Sequence, residues 1–318
     1  MSDAVRSLVR ARAFPAAAAL GSLLVWNAIF QPRFFAVLAD IAHRGTPVLL
    51  LSLGQALVLA TGGVDLSVGA VMALSSSLAA ILLTQTGLPP LTVVAIAIGA
   101  GLALGMWNGA LIAYLRIQPI VATLVLLTAG RGIAQLISGG GILSFHDDDF
   151  GALATGNFLG LPSTVILVAV AYASLGCLAH KTTLGFHLAA VGSNERAARL
   201  SGLRVGRIQI LAYGLCGALA ALAGLVVCAD VGAADASHVG LYLELDSILA
   251  AVIGGAALAG GRMCLTGALL GALANQALTT TLLLEGLGTE TALCVKAAAV
   301  LLVVTLQHAA LRSAEARA

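Results

Sequence analysis

Charged and amide side chains standing inside long apolar runs are the residues of this chain with chemistry to offer. Arg131 and Lys296 each interrupt such a run. A charge in apolar surroundings is costly, so it faces an interior or a water-filled path. Glu244, Asp246, Glu285 and Glu290 stand near the ends of neighbouring runs and are candidate partners. An ion pair that only closes a helix bundle is the alternative role for each. Asn108, Gln135 and Asn275 combine donor and acceptor in one side chain. That suits a hydroxyl-bearing solute in a pore, and it equally suits hydrogen bonding between helices. Asp65 and Ser67 follow Gly62-Gly63 and read first as caps of the next helix, ahead of contact with a solute. Trp107 either stacks on the face of a ring or packs against lipid or a helix. Asp65, Ser67, Trp107, Asn108, Arg131, Gln135, Asn275 and Lys296 are the candidate path.

Covalent chemistry finds no comparable constellation. The chain lacks G-x-x-x-x-G-K-[ST], H-E-x-x-H and G-x-S-x-G, so no phosphate-cradling loop, zinc helix or nucleophile elbow is expected. The histidines are scattered, and His180 and His187 sit in a basic loop. Cys177, Cys216, Cys228, Cys264 and Cys294 occur singly in apolar text, which suggests neither a metal site nor a disulfide framework. No enzymatic activity, metal or nucleic-acid partner is expected.

The elements that position these residues follow from composition. Asp, Glu, Lys and Arg make up 9% of the 318 residues, 60% are hydrophobic, and the mean hydropathy is +1.04. A soluble domain carries roughly 25% charged residues, so a soluble fold is excluded, and the same numbers exclude a disordered chain. A helix crosses the bilayer in about 20 apolar residues. Apolar runs fall near 14–30, 46–61, 66–84, 91–115, 119–138, 163–179, 208–229, 246–260, 263–285 and 289–311. The expectation is an all-α, polytopic membrane protein of about ten helices. Residues 1–318 form a single transmembrane domain with no room for a separate soluble one. The run 246–260 is short and ends at Gly260-Gly261, and 46–61 ends at Gly62-Gly63. Short, glycine-interrupted segments predict broken helices that line a cavity.

Basic residues set the orientation. With the N-terminus inside, ten spans put Arg6, Arg10, Arg12, Arg116, Lys181, Arg196, Arg199, Arg204, Arg207, Arg262, Arg312 and Arg317 on the cytoplasmic side. The acidic loops, with Asp147-Asp148-Asp149 and with Asp230, Asp235 and Glu244, fall outside. Arg33 and Arg44 run against this assignment. The N-terminal run reads as a retained span rather than a cleaved signal.

Two pairs of segments match in order. Gly101-x-x-x-Gly105-x-x-Asn108-x-Ala110-Leu111 resembles Gly267-x-x-x-Gly271-x-x-x-Asn275-x-Ala277-Leu278. Asp65 with Ala70-Val71 matches Asp246 with Ala251-Val252 at the same offset. Spans 2–5 would then repeat as spans 7–10 in the opposite direction, a plan common among alternating-access transporters. Gly101, Gly105 and Gly109 form a flat strip on one helix face, a signal for close helix packing.

The longest inner loop, 180–207, holds Glu195–Leu200 in helix-favouring text. Asn194 or Ser193 is its candidate N-cap and Gly202 its stop. A short capped helix with a basic rim suits docking to a cytoplasmic partner. A plain positive-inside loop explains the charge but not the caps.

This loop resembles the coupling loop of ATP-binding-cassette importer permeases, through Gly185, Asn194, Glu195, Arg196 and Ala197-Ala198-x-x-x-Gly202. Thr61-Gly-Gly-Val-Asp65-Leu-Ser67-Val-Gly69-Ala-Val-Met-Ala-Leu74 resembles the hallmark of the ribose/xylose/arabinose permease family. Leu245-Asp246 through Gly254-Gly255, with Gly260-Gly261-Arg262, resembles a second block of that family. Arg116-Ile-Gln118-Pro119, Ala129-Gly130-Arg131-Gly132 and Ala229-Asp230 through Asp235 look closest to galactofuranose permeases within it. The resemblance covers nearly the whole chain. It implies a multi-pass protein of the bacterial inner membrane that passes a monosaccharide, galactofuranose or a pentose. It implies cytoplasmic ATPase subunits as partners, a periplasmic sugar-binding protein, and a second permease subunit in a homodimer or heterodimer. ATP would be bound by the ATPase, with no cofactor in this chain. A secondary active transporter of a small polar solute is the rival reading; it leaves the coupling loop without a role.

Overall fold

The computed structural model describes residues 3–158, 160–288 and 290–299, with 301 and 305. The expected last span, 289–311, falls partly outside the described residues. Arg312, Arg317 and the side chains of Arg6, Arg10 and Arg12 lie outside them as well.

The chain is mostly helical. It runs through α1 (Asp3–Phe30), α2 (Arg33–Ala36), α3 (Leu38–Ala60), α4 (Val68–Gln85), α5 (Pro90–Leu115) and α6 (Pro119–Ile137). The strand β1 (Ile142–Ser144), α7 (Asp148–Thr155) and the strands β2 (Asn157–Phe158) and β3 (Leu161–Pro162) follow. Next come α8 (Ser163–Lys181), α9 (Leu184–Ser193), α10 (Glu195–Leu200) and α11 (Val205–Val231). Then come β4 (Ala233–Asp235), α12 (Leu243–Ile253) and α13 (Leu265–Leu284). Residues 290–299 are helical too.

Seven helices among the described residues are long and apolar enough to cross a membrane: Ala13–Phe30, Val68–Gln85, Pro90–Leu115, Pro119–Ile137, Ser163–Lys181, Val205–Val231 and Leu265–Leu284. Each falls on an expected run. The run 46–61 lies in α3, which starts earlier, at Leu38, and takes in His43 and Arg44. The run 246–260 is shorter than expected: α12 stops at Ile253, where Gly254 caps it and Gly255 turns at φ +88°. Pure α structure also gives way at one end of the bundle. There β1 pairs antiparallel with β4, and β2 with β3.

The core is α4 and α11 with α3 beside them. Helix α4 is apolar on every side and buried for most of its length, the pattern of a helix enclosed by others. Its serines fasten it to α11: Ser75 donates to the Ala221 carbonyl at 3.2 Å and Ser76 to that of Gly224 at 2.8 Å. Helix α5 lies on α11 along its glycine strip. A Cβ at Gly105 would sit 2.1 Å from the Tyr213 carbonyl oxygen, and one at Gly101 2.5 Å from that of Gly217. Only glycine permits this approach, and the backbones gain dispersion contacts by it.

The turns 61–67, 116–118, 182–204 and 254–264 gather at one end of the bundle. The strand pairs and α7 gather at the other, where Asp147 caps α7 by accepting from the Phe150 amide at 2.8 Å.

Candidate functional site

The first polar centre forms where α3 turns into α4. Asp65, Ser67 and Asn108 are all buried. Asp65 Oδ1 accepts from the Ser67 amide at 2.9 Å and the Ser67 hydroxyl at 2.6 Å. Asn108 Nδ2 donates to Ser67 Oγ at 3.0 Å. Gln55, which the sequence reading passed over, completes the cluster: its amide donates to the Asp65 carbonyl, and its Oε1 faces the Asp65 amide at 3.4 Å. A lone amide in the apolar run 46–61 was the signal for it. The expected cap is thus only partly as read. Ser67 holds the N-cap position of α4, but its side chain caps no helix amide and instead bonds Asp65.

A second polar pair joins α12 to the helix at 290–299. Lys296 Nζ meets Asp246 at 3.0 and 2.9 Å, with both side chains largely buried. Asn275 is buried, and neither polar atom of its side chain has a hydrogen-bond partner among the described residues. The two aligned blocks differ in local setting. Asp65 precedes α4, whereas Asp246 stands in the first turn of α12.

Arg131 and Gln135 serve a different place. Arg131 Nη1 donates to the carbonyls of Ala236, Ser237 and Val239 at 2.9, 3.3 and 3.0 Å, and Gln135 Nε2 to Ser237 Oγ at 3.3 Å. Together they hold the 236–239 loop onto α6. That loop continues to Gly240, at φ +73°, whose backbone crosses that of Gly69 so closely that a Cβ there would meet the Gly69 carbonyl oxygen at 2.5 Å. Just before it, Asp235 accepts from the Ser237 amide at 2.9 Å and faces His238 Nδ1 at 2.8 Å. Partial burial works against ionisation of Asp235, but the bonds from His238 and the Ser237 amide prevail and hold its carboxyl below the usual range. Trp107 is 62% exposed on α5.

At the opposite end, α10 forms where the sequence puts it. Asn194 Oδ1 accepts from the Ala197 amide at 2.9 Å, and Gly202, at φ +83°, closes the helix as the Leu203 amide returns to the Ala198 carbonyl at 3.1 Å. Glu195 accepts from Arg199 Nη2 at 2.6 Å. Helix α9, before it, was not expected. Gly185 lies on it, with no room for a Cβ beside the Ala179 carbonyl. Gly192, also on α9, packs against the Ala60 carbonyl oxygen and the Gly261 amide, 1.9 and 2.4 Å from where a Cβ would be. Gly261 in turn donates to Ala60 at 3.0 Å. The 180–207 segment therefore touches the ends of both glycine-interrupted runs. On its outer side Phe186, Ala190, Asn194, Ala197, Ala198 and Leu203 line a hollow of about 450 Å3. Phe186 and Leu200 are 74% and 84% exposed beside it. Arg196 faces the other side.

Buried polar groups inside a bundle of helices long and apolar enough to cross a membrane, with an apolar hollow at one end, fit a multi-pass membrane permease. Residues 37–305 match the family described as branched-chain amino acid transport system / permease component, and the chain belongs to that family. It is 46% identical over 283 residues to the galactofuranose transporter permease protein YtfT of Escherichia coli K12, covering 89% of this chain and 83% of that one. It is 36% identical to the ribose import permease protein RbsC of the same strain, over 90% and 92% of the two chains. It is 33% identical to the fructose import permease protein FruF of Bifidobacterium longum, over 90% and 84%. No solved structure is significantly similar to it.

Proposed function

We propose that this chain is the membrane permease subunit of an ATP-driven sugar importer. The observation that carries the reading is its 46% identity, over 89% of its length, to a galactofuranose permease. The capped helix α10 and the apolar hollow beside it support a docking role. An ATPase seated on Phe186, Ala197 and Leu200 would push through α9 at Gly192, where the ends of α3 and the α12–α13 turn converge. The basic residues of that end orient it to the cytoplasm. A periplasmic sugar-binding protein would meet the opposite end, and a second permease subunit would complete the path.

The reading keeps ten spans in one domain, with α3 to α6 repeated by α11 to the last helix. In its support, α5 packs on α11 as α13 packs on α3, and α12 touches α3 as α4 touches α11. Asn108 and Asn275 are the path candidates nearest the centre of this plan. Both are buried.

Reconstitution tests the function. The chain in liposomes with its ATPase and binding protein should take up labelled galactose, ribose or fructose only with ATP. Uptake without the ATPase would favour the secondary transporter instead. Replacing Asn108 or Asn275 by Leu should lower uptake per folded molecule while the ATPase still co-purifies. Normal uptake by both variants would remove them from the path.

A further inference from the structure

At the α10 end, behind the docking hollow, lies a separate cavity of about 660 Å3. Its walls come from the end of α3, the α5–α6 turn, α10 and the start of α11. Small-molecule sites run from roughly 300 to 1,000 Å3, so the volume suits one. We infer that this cavity binds a phosphoryl group carrying hydroxyls.

The charges point to an anion. Arg116, Arg196 and Arg199 converge on the cavity, and Glu195 is the acid among the lining residues. Glu195 already accepts from Arg199 through Nε at 3.0 Å and Nη2 at 2.6 Å. Arg116 and Arg196 have no acidic partner among the described residues. Two planar guanidinium forks are therefore left for a group with several acceptor oxygens, which is what a phosphoryl offers. Arg116 is also one of two non-glycine residues with positive φ among those described, at 54°. A helix normally ends in glycine at such a position, so a strained arginine there is a pointer to use.

The uncharged wall points to hydroxyls. Gln209 lines the cavity, is 8% exposed, and its Oε1 has no donor among the described residues. An acceptor buried without a donor is expensive, and a hydroxyl supplies the missing proton. Gln118 and Thr61 extend the same polar wall. Positive-inside bias puts arginines at this end of the molecule but does not draw them around a buried, donorless amide.

Two sources share this chemistry: a soluble sugar phosphate, and the headgroup of phosphatidylglycerol from the inner leaflet. Equilibrium binding of labelled glucose 6-phosphate to the full chain in phosphatidylcholine nanodiscs tests the first. Saturable binding is expected, displaced by inorganic phosphate and weakened at least tenfold by Arg116→Gln and by Arg196→Gln. Gln209→Leu should weaken glucose 6-phosphate more than inorganic phosphate. For the second, native mass spectrometry counts phosphatidylglycerol retained from mixed nanodiscs, and the Arg116→Gln/Arg196→Gln chain should retain less. A response in either arm supports the site and names its source. Absence of binding in both arms, or binding indifferent to both arginines, overturns it.

Discussion

Asp65 is a buried carboxylate and Asp246 a largely buried one, each at the start of an inner helix, yet the molecule satisfies them differently. Asp65 has no basic partner among the described residues and is held by the amide and hydroxyl of Ser67, which Asn108 braces in turn. Asp246 is held by the ammonium of Lys296 at 2.9 Å. Asn275, which the sequence comparison sets against Asn108, makes no such bracing bond among the described residues. One centre is a local hydrogen-bonded network whose parts depend on each other. The other is a single ion pair between α12 and the last helix. Similar sequence blocks therefore do not carry similar chemistry once their neighbours differ.

The ion pair should be the costlier to break. Lys296→Met leaves a buried carboxylate without its cation, with an expected loss of about 3–5 kcal/mol. The Lys296→Met/Asp246→Leu chain should recover most of it, as read by thermal unfolding in detergent. A double variant as unstable as the single would show that the pair is not what holds the two helices.

The network should cost less per member. Ser67→Ala removes a donor from Asp65 and the acceptor of Asn108, an expected loss of about 1–3 kcal/mol. Asn108→Leu on that background should add little, because the two residues share one network. Additive losses would break the description of this centre as a unit.

Asn275→Leu should barely change stability, because the amide it removes bonds nothing among the described residues. The contrast with Asn108→Leu sharpens the comparison. A Leu variant at 275 that folds normally but transports poorly marks an amide kept for solute, whereas loss of the fold marks one kept for packing.

The smallest effect concerns the outer loop. The Asp235 carboxyl is held below its usual range by His238 and the Ser237 amide, after burial is overcome. A depressed carboxylate contributes stability that is present above the unfolded value, about pH 3.9, and is lost as pH falls through the lower folded value. Hydrogen exchange at 235–239 should therefore stay slow from pH 7 to about pH 5. Protection lost already at pH 6 would overturn the account of the loop as held by the Asp235 carboxylate.

Local features were legible in the chain itself. Helix α10 could be read residue by residue because its cap, Asn194, and its stop, Gly202, act within one turn. The glycine strip of α5 was legible as packing because only the missing side chains at Gly101 and Gly105 matter. The short α12 was legible as short, but not its stop at Gly254, since Gly254-Gly255 and Gly260-Gly261 look alike in sequence. The roles of Arg131 and Gln135 were not legible. Their partners lie more than a hundred residues away, in a loop that folds back toward α6.

What the residues determined unaided is the class of molecule and the position of its long helices, because hydropathy and caps act over one span or one turn. The tertiary structure alone decided which buried polar groups are matched. Gln55, Ser67 and Asn108 come from three separate helix ends or faces, and only packing α3, α4 and α5 together puts their hydrogen-bonding atoms within reach. The same packing left Trp107 outside, Asn275 unmatched and Lys296 paired. Each outcome depends on distances of about 3 Å, the reach of a hydrogen bond, between groups that the chain separates by tens of residues.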